Sequence, residues 1–127
     1  MWAPVDGLVP QLQALLTSDL CYHGVHAWAG QGVLKEHIAN WIHVLGELKA
    51  QYQSPEVKVF PGHGEPGGPE LFDAMRIYLN DFLSAVHAER TNTAVLSRMK
   101  RLYPGFAQED FLLAHSVAFH GPDTRTP

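Results

Sequence analysis

Hydrophobic residues recur at two different periods along this chain, and the change of period marks out its elements. Between positions 33 and 52, Leu34, Ile38, Trp41, Leu45 and Leu48 recur at steps of three and four, while Lys35, Asn40, Glu47 and Lys49 take the other face. That stripe predicts an amphipathic helix, ended by Ser54-Pro55. Leu71, Met75, Tyr78, Phe82 and Val86 stripe a second helix to about Glu89, with Pro69 in its first turn, where proline is tolerated. Upstream, QLQALLTSDLCY (residues 11–22) fits a helical turn or a strand; Thr17, Cys21 and Tyr22 tilt it towards a strand near Leu15 to Tyr22. Val57, Val59 and Phe60 predict a second short strand, and GHGEPGGP after it reads as a rigid loop. Two shorter helices are expected near Asn92 to Tyr103 and Gln108 to Phe119, with stripes Val95, Met99, Leu102 and Phe111, Ala114, Ala118. Pro4, Gly7 and Pro10 make residues 1–10 extended or looped, Gly24, Gly30 and Gly32 mark a loop, and the tail GPDTRTP is expected to be disordered. Strand, helix, strand, helix predicts a helix-rich α/β layer, one domain over residues 1–120 whose last part, 91–120, is a helical extension.

Composition narrows the class. The chain has 127 residues, which suits one domain, and its 46% hydrophobic and 17% charged residues are those of an ordinary soluble globular protein. The net charge is −4, and the nine Lys and Arg are scattered, with Lys100-Arg101 the only adjacent pair, so nucleic acid is not an expected partner. No apolar run approaches the ~18 residues of a membrane span, and no basic segment followed by an apolar stretch marks a signal peptide. A single cysteine, Cys21, rules out an internal disulfide and fits a reducing, cytoplasmic setting.

Two stretches carry candidate chemistry. In VKVFPGHGEPGG (57–68), Gly62 and Gly64 leave the approach to His63 open and Pro61 fixes the backbone before it. Open α/β sheets place their sites at strand carboxyl ends, so His63 reads either as an imidazole held towards a metal or water, or as an exposed residue in a tight turn. In SDLCYHGVHAWAG (18–30), Asp19 near a strand end is a capping carboxylate or a metal ligand. His23 and His26, three apart, are surface residues or further ligands, and Trp28 and Trp41 are core or interface anchors.

Taken together these pieces resemble the C-terminal half of the metallo-β-lactamase fold superfamily. Trp2-Ala3-Pro4 matches its W-x-P strand, Ser18 to Gly30 its S-D-L-x-Y-x-G-V-H-x-W-x-G segment, and Val57 to Gly64 its V-x-V-F-P-G-H-G motif, followed by P-G-G-P-E-L. The resemblance covers residues 1 to about 90; beyond it, R-L-Y-P-G is similar to tails of bacterial members. It implies one half of an αββα sandwich, with few short strands and helices on one face. It also implies zinc or another divalent metal held by Asp19 and His63, with His23 or His26 as possible additions. The family's H-x-H-x-D-H signature is absent, and the histidine expected ahead of the W-x-P strand would precede Met1. A zinc site needs at least three protein ligands, so the chain is expected to be a truncated relative that is not catalytically competent alone and binds metal weakly or partially. The alternative is a metal-dependent hydrolase completed by a separate N-terminal half or by a second subunit. A half sandwich leaves its inner sheet face uncovered, so a homodimer anchored by Trp28 or Trp41 is expected, with a small-molecule ligand possible in the remaining cleft.

Overall fold

The computed structural model describes residues 8–9 and 13–124. The expected W-x-P strand, Trp2 to Pro4, lies outside the described residues. Strand β1 (Leu8–Val9) pairs antiparallel with β2 (Ala14–His23); helix α1 (Lys35–Gln51) leads to β3 (Lys58–Gly64), which runs parallel to β2. The sheet order is β1-β2-β3. Then come α2 (Glu70–Ala88), α3 (Asn92–Leu102), a π-helical turn (Glu109–Leu113), α4 (Ala114–His120) and a 3-10 turn (Pro122–Thr124). The protein is therefore α/β and helix-rich. Among the described residues, no helix is long and apolar enough to cross a membrane.

Most of the predicted stripe positions become the core, whereas Leu34, at the start of α1, and Leu102, at the end of α3, stay exposed. Ile38, Leu45 and Leu48 of α1, and Leu71, Met75, Tyr78, Phe82 and Val86 of α2, are buried with Leu15 and Val59 of the sheet in one cluster that extends to Val95, Met99 and Val117. Alternation along a strand puts Leu15 and Val59 on this side and leaves Leu16, 54% exposed, on the other. The expected stripe Phe111, Ala114, Ala118 is not the buried one: Phe111 is 54% exposed, and Leu112, Leu113, Ser116, Val117 and His120 face inwards. The buried set keeps helical spacing (112, 113, 116, 117, 120), so it is the neighbouring face of the same helix that packs, and the larger Leu112, Leu113 and Val117 fill it. The tail is also not wholly loose. Asp123 N–H donates to Asn92 Oδ1 and Asn92 N–H to Asp123 Oδ1, tying the 3-10 turn to the start of α3; residues 125–127 lie outside the described residues.

The C-terminal helices have a specific task. They clamp the connection between β2 and α1. His26 N–H donates to Ala107 O, and Ala107 N–H to Gly24 O. Ala29 N–H donates to Ser116 Oγ, which itself donates to backbone carbonyls, and His120 Nε2–H donates to Val33 O. Within this clamp His26 is fully buried. The Tyr78 hydroxyl accepts from Ala27 N–H, which leaves its proton for His26 Nδ1 at 2.8 Å.

Burial, with a smaller contribution from Lys100, pushes the His26 pKa down from 6.5 to about 4, and burial lowers His120 in the same direction. The folded state therefore holds His26 neutral where the unfolded chain is already protonated. Stability is expected to be level above about pH 6.5 and to fall by about 2–3 kcal/mol towards pH 4. Urea titrations at stepped pH check this, and His26→Phe should flatten most of the slope; a slope of the opposite sign would contradict the assignment.

Candidate functional site

The parallel pair β2–β3 is regular only at its start. Ala14 to Leu16 pair with Lys58 to Phe60, but from Leu16 to Tyr22 β2 takes six steps while β3 takes three, from Phe60 to His63. The three extra residues fall in two irregularities on either side of Ser18, itself at φ 50°, and a bulge re-aims side chains at a strand end. Thr17 Oγ1 donates to Phe60 O within the first of them, holding the strands together there.

Glycine is what lets the strands close again. A Cβ on Gly62 would stand 2.7 Å from the Ser18 carbonyl and 2.8 Å from Asp19 Oδ1. Gly64, at φ 99°, would drive a Cβ into the His23 carbonyl oxygen. Pairing therefore resumes through Tyr22 with His63 and His23 with Gly64. The expected rigid loop from Gly62 is thus strand as far as Gly64, because the bulged end of β2 supplies it with a partner.

This geometry brings Asp19 and His63 together: Oδ1 and Nε2 are 3.6 Å apart at the carboxyl end of β3, and both side chains are exposed. The His63 ring stacks on Tyr22 with centroids 5.1 Å apart and planes at 6°. His23 points to the opposite face of the strand, where its Nδ1–H donates to Glu65 O at 2.7 Å. His26 lies away from the pair, in the core between Tyr78 and Phe106. Two donors on one tetrahedral zinc stand roughly 3.3 Å apart, given bonds near 2.0 Å, so Asp19 and His63 fit two corners of such a site. Among the described residues, no group of three His, Cys, Asp or Glu gathers to hold a metal ion.

Beside the pair lies an open groove of about 560 Å³ walled by Tyr22, Trp28, Val33 and Trp41, with Asp19 and His37 among its polar groups. Its wall is built by the clamp on the β2–α1 connection and by Trp41, whose Nε1–H donates to Leu20 O at 2.9 Å. Burial raises the Tyr22 phenol pKa, and the Asp19 carboxylate adds to the rise. Sequence reasoning treated Trp28 and Trp41 as core or interface anchors; nothing in their spacing marks a groove, which exists only once the connection folds back. The stacking role of Tyr22 was equally hidden, since it depends on the register beyond the bulge.

Gly64→Ala and Gly62→Ala should each destabilise by roughly 1–3 kcal/mol or more in urea unfolding. Gly24→Ala, also at positive φ but with open space around it, should cost about 1 kcal/mol. Asp19→Ala should cost less than about 0.5 kcal/mol, because an exposed ion pair contributes little. Equal losses at Gly24 and Gly64 would refute the close-approach argument.

No protein-family model, curated protein or solved structure matches this chain.

Proposed function

We propose that this chain is the C-terminal half of a metallo-β-lactamase-like αββα sandwich, a module that is not catalytically competent by itself. Asp19 and His63 are two ligands of a divalent-metal site whose other donors come from a second subunit or a separate N-terminal half. The observation that carries this reading is the convergence of Asp19 Oδ1 and His63 Nε2 to 3.6 Å across a bulged parallel pair. An exposed pair of this kind adds little stability, so its geometry makes more sense as chemistry than as structure. When bound, a divalent ion would supply the Lewis acidity for hydrolysis. The residues present hold one side of it: Asp19 and His63 donate the ligand atoms, and Tyr22 fixes the His63 ring by stacking.

The sheet face turned away from the helices supports the association part of this reading. Leu16 is 54% exposed on it, and α3 and α4 are committed to the β2–α1 connection and α2. A second copy set over that face would complete a sandwich. The commonest closed assembly is such a twofold dimer.

Three outcomes are expected of the purified chain. Zinc binds weakly and below one equivalent after dialysis, and Asp19→Ala and His63→Ala each reduce it further; stoichiometric tight zinc in a monomer would contradict the half-site. Lactam, thioester and phosphodiester reporters are hydrolysed no faster than by free metal ion, whereas turnover abolished by both variants would show a complete site. Light scattering at micromolar concentration reads a dimer with an interface above ~1,000 Å², and a stable, well-folded monomer would overturn the association.

A further inference from the structure

We propose that the groove walled by Tyr22, Trp28, Val33 and Trp41 binds the uncharged aromatic ring of a small-molecule ligand whose other end lies at Asp19 and His63. This rests on the reading of that pair as the reacting end and adds the class of molecule presented to it.

Four observations carry the inference. The volume, about 560 Å³, lies within the usual range of small-molecule sites. Three of the walls are aromatic, and aromatic rings attract a further ring in offset or edge-on contact beyond what area alone gives. The walls are held in place before any ligand arrives. Trp41 is fixed by its Nε1–H bond to Leu20 O, and the Gly30 backbone lies so close to the Trp28 six-membered ring that a Cβ there would be 2.6 Å from it. Val33 is held through its carbonyl by His120. Such preorganisation lowers the ordering cost of binding.

Charge selects the class. Among the described residues lining the groove there is no lysine or arginine, and Asp19 contributes a carboxylate. With metal removed, a phosphorylated or carboxylated group would enter with no lysine or arginine to pair with and beside a like charge. The polar groups suit a neutral ligand instead. His37 Nδ1 accepts from Leu34 N–H at 3.0 Å, which leaves Nε2–H as the donor that ring can offer. A few oriented polar groups in an apolar wall are what such sites use to set direction.

The test is a nuclear magnetic resonance titration of the ¹⁵N-labelled full chain in chelator, with p-cresol and with p-tolyl phosphate, which share a ring and differ in charge. p-Cresol is expected to move the indole N–H signals of Trp28 and Trp41 and the amide of Val33 saturably in the millimolar range. The phosphate should bind at least about tenfold more weakly. Val33→Asp should weaken p-cresol at least about tenfold. Failure of p-cresol to move these signals saturably, or a phosphate that binds as tightly, overturns the proposal, and the wild-type titration decides even where Val33→Asp does not fold. Chelator removes metal from the measurement, so a failure here with an intact zinc response sinks the ring site alone. Saturable ring binding with no zinc response sinks the metal reading and leaves the groove standing.

Discussion

The close passage of β3 past the backbone of β2 is the constraint on which the rest of the site depends. Gly62 lies where any Cβ would strike the Ser18 carbonyl, and Gly64 lies where it would overlap the His23 carbonyl oxygen. Without side chains at these two points, β2 can carry three extra residues and still rejoin its neighbour at Tyr22 and His63. The bulge turns Asp19 towards His63, and the resumed pairing lays the His63 ring on Tyr22. Remove the close approach and the carboxylate, the imidazole and the stacking ring part together. The left-handed backbone at Ser18 is a local strain, and a continuous core beneath the sheet offsets it.

The helices after residue 90 act at a distance from that pair but on the same site. Their hydrogen bonds to Ala29, Val33 and the 24–27 backbone hold the β2–α1 connection against the body of the protein. The connection supplies Trp28 and Val33 to the groove, so the groove's shape is set from the far end of the chain. The clamp contains His26, a buried imidazole bonded to Tyr78. Burial holds that imidazole neutral well below the usual histidine range, which makes the clamp the acid-sensitive part of the fold. Among the described residues, that commitment leaves Leu16 of the sheet exposed.

Much of this was legible in the residues. Periods of three and four at Ile38, Leu45 and Leu48, and at Leu71, Met75, Tyr78, Phe82 and Val86, determined two core helices, because a helix can bury only one stripe. Apolar density and β-favouring side chains tilted the reading towards strands near Leu15 and Val59, and glycine on both sides of His63 marked an open approach to it. The C-terminal stripe was misplaced because Leu112, Leu113 and Val117 fit the same helical period as Phe111, Ala114 and Ala118, and spacing alone does not say which of two adjacent faces meets the core. The family resemblance had paired Asp19 with His63, but nothing in the spacing of these residues does so, and tertiary structure alone decided that His26 does not join them. Residues forty-four apart come together only through the register of a parallel pair, and whether an imidazole faces solvent or core depends on what packs over it. The groove belongs to the same category: its walls come from β2, the connection and α1, and only long-range hydrogen bonds from the C-terminal helices bring them to one place.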